Sequence, residues 1–210
     1  SAMVYYGEGK NKRVNNSIEV FANIPYVAYN YKVVNTFPHD SKAFTQGLEY
    51  KDGYIYESTG RHGQSTISKL DLNTGEVLKR TKLEDEYFGE GITLLNNKLY
   101  SLTWKANKGF IYNLETLERE GEFPYGKSKE GWGLTNDGKH LIKSDGTNKI
   151  WFLDAETQKE LRSIQAYNHK QKIPKLNELE YINGKIYANY WQKPLIAIIN
   201  PDNGVVEGII

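Results

Sequence analysis

The stretch "QGLEYKDGYIYES", residues 46–58, decides the fold. It reads as a short apolar run, a turn at Asp52-Gly53 and an alternating apolar run, the pattern of a β-hairpin. The pattern returns three times, as "EGITLLNNKLYSL" (90–102), "WGLTNDGKHLIKS" (132–144) and "NELEYINGKIYAN" (177–189). The copies start at 46, 90, 132 and 177, roughly 42–45 residues apart.

Each copy runs on into two more strand-like segments: "TISKLDLNTGEVLKRTKL", "GFIYNLETLEREGEF", "NKIWFLDAETQKELRSIQ" and "PLIAIINPDNGVVEGII". In each, an Asp or Asn and a polar turn separate the two runs. Four strands per unit at this period is the signature of a β-propeller blade. A two-sheet sandwich also has many short strands, but not one four-strand pattern repeated. The expected fold is all-β, a propeller over residues 30–210 with four visible blades beginning near 44, 88, 130 and 175. The segment "ETQKELRSIQ" (156–165) is the best helical candidate, yet its equivalents in other units read as turn plus strand.

Ahead of the blades, "YKVVNTFPHD" (31–40) reads as one isolated strand with no partner blade at the C-terminus. Residues 1–29 read as an arm or the tail of a preceding segment, with "SIEVFANI" (17–24) as a strand of a preceding module or a packed arm. Either the four blades form an unusual four-blade ring or the chain stops before a fifth blade, and Ile209-Ile210 in mid-strand supports truncation. Ser1-Ala2-Met3 reads as the remnant of a cleavage.

Composition agrees with strands and tight turns. The 210 residues include 16 Tyr and 19 Gly, with 39% hydrophobic and 25% charged residues. A net charge of +1 argues against nucleic-acid binding by bulk electrostatics. There is no Cys, which removes disulfides, thiolate zinc sites and a Cys nucleophile. No apolar run approaches the roughly 18–20 residues of a membrane span. The four His residues (His39, His62, His140, His169) are scattered without metal-ligand spacing, and no P-loop, EF-hand loop or nucleophile elbow is present.

The repeat also directs attention to chemistry. In a propeller the first strand of each blade lines the central channel, so Gln46, Glu90, Trp132 and Asn177 should form one ring near a channel mouth. Three are followed by Gly (Gly47, Gly91, Gly133), which permits close backbone approach or unusual φ. The backbone repeats while the side chains diverge, as a composite site requires. Phe44 and Phe88 stand two residues before the first pair. Trp104 and Trp191 follow the second strands of their blades. The mouth is therefore expected to be aromatic-walled, with one carboxylate and two amides. Desolvation by such walls raises a carboxylate pKa toward neutrality. Each residue also has an ordinary reading. A Glu between glycines is commonly a solvated turn residue, Asn177 can cap a turn, and Gln46 can satisfy backbone groups. Trp151 alternates as core, and Glu178 and Glu180 read as alternation toward solvent or blade edges.

The combination of "FTQGLEY", "GQSTISKLDLNTGEVL", "YFGEGITLLNNKLYSLTWK", "EGWGLT" and "LNELEYINGKIYANYW" resembles the glutaminyl-peptide cyclotransferases of the plant and bacterial type, also called glutamine cyclotransferases. The resemblance covers about residues 30–210. It implies a five-bladed β-propeller that converts an N-terminal glutamine of a peptide to pyroglutamate and releases ammonia, without metal. It implies Glu90 as catalytic acid/base, with Phe44, Gln46, Phe88, Trp104, Trp132, Asn177 and Trp191 as pocket residues. The family also uses a lysine on its last blade, to which no residue here corresponds. No cofactor is expected, and a structural Ca²⁺ would leave no mark in this sequence. Peptides or proteins with N-terminal glutamine are the expected partners, and a secreted or periplasmic monomer the expected form. The alternatives are a non-catalytic propeller that binds a peptide N-terminus or small amine, and a structural propeller carrying partners on its faces.

Overall fold

A computed structural model describes residues 1–210. It is built from strands and turns without a helix. A hairpin, β1 (Ala2–Tyr6) and β2 (Lys10–Val14), opens the chain, followed by the two-residue β3 (Val27–Ala28). Four antiparallel sheets of consecutive strands follow. Blade one holds β4 (Thr45–Lys51), β5 (Tyr54–Thr59), β6 (Thr66–Asp71) and β7 (Val77–Lys82). Blade two holds β8 (Gly89–Leu95), β9 (Lys98–Thr103), β10 (Lys108–Asn113) and β11 (Arg119–Pro124). Blade three holds β12 (Leu134–Asn136), β13 (His140–Ser144), β14 (Lys149–Asp154) and β15 (Glu160–Gln165). Blade four holds β16 (Leu176–Ile182), β17 (Lys185–Tyr190), β18 (Ile196–Ile199) and β19 (Val206–Ile209).

The turns are those the sequence asks for. Asp52-Gly53, Asn96-Asn97 and Asn183-Gly184 all have φ between 50° and 87°, the paired left-handed conformation of a tight hairpin turn. The outer turns repeat as well. Asp71, Asn113 and Asp154 each accept two backbone N–H bonds through one side-chain oxygen, and Asn200 accepts one. The segment 160–165 is strand β15, as its blade equivalents required.

Apolar faces pack between blades, in three clusters that follow the blade seams. The one between blades one and two includes Tyr56, Ile67, Ile92, Leu99 and Phe110, and the one between two and three includes Leu102, Leu134 and Trp151. The third joins blades three and four through Ile142, Phe152, Leu176 and Ile186. The inner strands are tied directly. Glu49 accepts the Leu94 N–H at 2.9 Å, Thr93 accepts from Asn136 at 2.8 Å, and Thr135 accepts the Tyr181 N–H at 3.1 Å.

The glycines of the inner strands serve close approach, not unusual φ. A Cβ on Gly47 would sit 2.6 Å from the Ile92 nitrogen, one on Gly91 2.5 Å from that of Leu134, and one on Gly133 2.1 Å from the Asn177 oxygen. Any side chain there would push two blades apart.

One expectation for the N-terminal region is corrected. Residues 31–40 form no strand, and Val33 and Val34 are exposed. The strand lies earlier, at β3, and it is partnered: Val27 and Ala28 pair in parallel with Gly208 and Ile209 of β19. Of the two readings of residues 17–24, the strand is absent, and the segment lies as an arm whose Ala22 N–H donates to the Asn168 carbonyl at 3.3 Å.

Candidate functional site

Repeat geometry brings the first-strand positions together. Gln46, Glu90 and Asn177 lie on β4, β8 and β16, and Trp132 lies just before β12. Phe44 and Phe88 precede β4 and β8 directly; Trp104 and Trp191 follow β9 and β17. These eight residues line one cavity of about 180 Å³, room for a ligand the size of an amino acid.

Its wall is a chain of rings. Phe44 meets Phe88 edge-on at 6.2 Å, Phe88 meets Trp104 at 5.6 Å, and Trp132 meets Trp191 at 5.8 Å. The Arg61 guanidinium lies over Phe44 at 4.5 Å. Trp132 lies against Gly146, where a Cβ would come within 2.4 Å of its indole. A second hollow of about 740 Å³ adjoins, sharing Asn177 and Trp191.

The polar groups in this cavity are held by backbone and left free at the side chain. Glu90 is 6% exposed. Its carbonyl accepts a bond from the Ser58 hydroxyl, and the N–H of Gly91 donates to the Trp132 carbonyl at 2.7 Å. The carbonyl of Asn177 accepts from the Ser144 hydroxyl at 2.8 Å. No side-chain hydrogen bond of the fold uses the Glu90 carboxyl, the Gln46 amide or the Asn177 amide, and the Asn177 Oδ1 is buried without a partner. The turn-capping and backbone-satisfying readings of Asn177 and Gln46 therefore find no counterpart here. Burial pushes the Glu90 carboxyl up to about 9, with the Glu130 charge adding to it. At neutral pH Glu90 is a buried carboxylic acid.

Glu130 is the residue that repeat reasoning missed. Its Oε2 accepts the indole N–H of Trp104 at 2.9 Å and that of Trp132 at 3.0 Å. It stands two residues before Trp132 in "EGWGLT", off the aligned ring, so spacing gave no reason to single it out.

Glu178 is corrected. It does not point to solvent: both carboxyl oxygens are buried without a partner. Burial first, and then the neighbouring Glu180, holds its pKa well above the usual carboxylate range. It occupies the position that is Gly in the other three blades, where the Cβ is aimed along the ring of inner strands. Trp151 is core as expected, and its indole donates to Asp145 at 2.7 Å. No group of three or more His, Cys, Asp or Glu side chains is arranged to hold a metal ion, and no helix is long and apolar enough to cross a membrane.

Known proteins resemble this chain along most of its length. A family model described as glutamine cyclotransferase matches residues 10–210. Glutaminyl-peptide cyclotransferase of Arabidopsis thaliana is 45% identical over 181 residues, 85% of this chain. The chain spans 56% of the length of that relative. The crystal structure of Myxococcus xanthus glutaminyl cyclase superposes with a TM-score of 0.80 at 32% identity, covering 88% of this chain and 78% of that one. The WD40 β-propeller domain of Doa1 is similar at the level of fold alone, with a TM-score of 0.56 and 14% identity over 78% of this chain and 52% of that one.

Proposed function

The chain belongs to the glutamine cyclotransferase family, and on that footing we propose that it cyclises the N-terminal glutamine of peptides to pyroglutamate with release of ammonia, Glu90 carrying the proton. The observation behind this reading is the unpartnered trio of Glu90, Gln46 and Asn177 in an aromatic cavity. Polar side chains left without protein partners in a buried hollow are matched to a ligand's hydrogen bonds.

The reaction needs little covalent help, because the nucleophile belongs to the substrate. The α-amine attacks the γ-carbonyl carbon, a C–N bond forms, and the bond to the amide nitrogen breaks. One proton must travel from the attacking nitrogen to the leaving one. Glu90, protonated at rest, gives its proton to the leaving amide nitrogen and takes one from the attacking amine. It ends protonated, as it began. The aromatic wall holds the glutamine curled, a proximity effect. The amide N–H groups of Gln46 and Asn177 are the donors available to the oxyanion. Exclusion of water by the rings disfavours hydrolysis to glutamate.

The test is ammonia release from a glutamine-initiated dipeptide, with Glu90→Gln alongside. The variant should still bind the dipeptide and release at least about a thousandfold less ammonia. Binding by the unaltered chain without any release would support a non-catalytic binding propeller instead.

A further inference from the structure

Two tryptophans of the cavity come from different blades, and one carboxylate oxygen holds both. Trp104 follows β9 of blade two, and Trp132 opens blade three. Glu130 Oε2 accepts both indole N–H groups, at 2.9 and 3.0 Å. The backbone around Glu130 is docked to the same two blades. The Gly131 N–H donates to the Trp104 carbonyl at 3.0 Å, and the Trp132 carbonyl accepts from Gly91, next to Glu90. The segment leading to Glu130 is fixed from beneath. The Glu160 carboxylate accepts the N–H groups of Gly126, Lys127 and Ser128 and the Ser128 hydroxyl. The Lys143 ammonium donates to Ser128 at 2.5 Å.

We propose that Glu130 is the positioning residue of this cavity: it locks the Trp104 and Trp132 indoles into one wall. The inference rests on the cyclotransferase reading for its kinetic part, and on geometry alone for its wall. Two hydrogen bonds to one charged acceptor fix both rings about their χ angles, with partners about twice as strong as neutral ones. A half-buried charge beside a buried acid also disfavours a second ionisation, so Glu90 keeps its proton to higher pH. The other ionisable groups facing Glu90 are the buried Glu178 of β16 and the Tyr125 hydroxyl, which donates to the Thr103 carbonyl. Of these groups, only Glu130 also touches the wall.

Two variants separate the roles. Glu130→Gln keeps an amide oxygen for the indoles and removes the charge. Glu130→Ala removes both. The readouts are the near-ultraviolet circular dichroism of the tryptophans, KM for a glutamine-initiated peptide, and the pH profile of kcat/KM. Glu130→Gln should keep KM within about twofold and move the alkaline limb of the profile down by roughly half a unit or more. Glu130→Ala should move the limb likewise, raise KM about tenfold and change the tryptophan spectrum. An unchanged spectrum and KM in Glu130→Ala, or a KM in Glu130→Gln raised as far as in Glu130→Ala, overturns the proposal. If the unaltered chain releases no ammonia, the parent reading fails by itself. The spectrum of Glu130→Ala then still decides whether Glu130 holds the wall.

Discussion

The Ser58 hydroxyl, on the second strand of blade one, donates to the backbone carbonyl of Glu90, on the first strand of blade two. Ser144 repeats the relation with Asn177, from blade three to blade four. Each bond fixes the main chain under a cavity side chain from the neighbouring blade. Removing the hydroxyl leaves a buried carbonyl without its partner, at about 1–3 kcal/mol. Ser58→Ala should lower the melting temperature by several degrees and slow ammonia release severalfold, because Glu90 is no longer held in place. Thermal melts and turnover on one dipeptide check both. A drop in stability with turnover unchanged would show that the Ser58 bond does not position Glu90.

Much of this was legible because a propeller states its geometry once per blade. The turn pairs Asp52-Gly53 and Asn183-Gly184 carry the paired left-handed conformation of a tight hairpin, and they fixed the strand phase. With the phase known, position 46 and its equivalents fell on one ring, and all eight expected residues line the same cavity. The illegible parts lie off the repeat. Glu130 reaches across a seam by side-chain length, and no spacing encodes that reach. Glu178 breaks the glycine pattern, and alternation alone could not show that its carboxyl is shut in. The segment 31–40 has strand-like composition but pairs with no strand, and the outer edge of blade four is taken by β3 instead.

Glu90 should weaken the fold as the pH rises. Its folded pKa, about 9, lies above the ordinary 4.5, so between those values the folded chain binds more protons than the unfolded one. Stability contributed by that difference is complete below about 4.5 and is lost as the pH rises through about 9, at up to about 1.4 kcal/mol per pH unit. Glu90→Gln carries no such group. Its advantage in melting temperature over the unaltered chain should grow from pH 5 to pH 9. Parallel melting curves across that range would refute the raised pKa.

Lys143 makes the opposite contribution. It is fully buried on β13, its ammonium 3.6 Å from the Tyr125 ring, and burial pushes its pKa down to about 7 against the opposing pull of Asp145 and Glu160. The unfolded chain therefore binds the extra proton between about 7 and the ordinary 10.5, and stability from this site rises with pH across that window. Lys143→Met has similar length and no charge. Comparing its denaturation midpoints with those of the unaltered chain at pH 7, 8 and 9 isolates the slope. The difference favouring Lys143→Met should shrink as pH rises; a constant difference would mean that Lys143 does not titrate in the fold.

Asn177 separates a ligand group from a structural one most directly. Its Oδ1 is buried without a partner, a burden of about 1–3 kcal/mol in the free protein that a bound N–H would relieve. The backbone bond from Ser144 to its carbonyl does not depend on the side chain. Asn177→Ala should therefore leave the melting temperature unchanged or raise it, while KM for a glutamine-initiated peptide rises about tenfold. A structural asparagine gives the reverse pattern, a lower melting temperature with KM intact. Because the two outcomes move in opposite directions, one variant with two measurements decides the role.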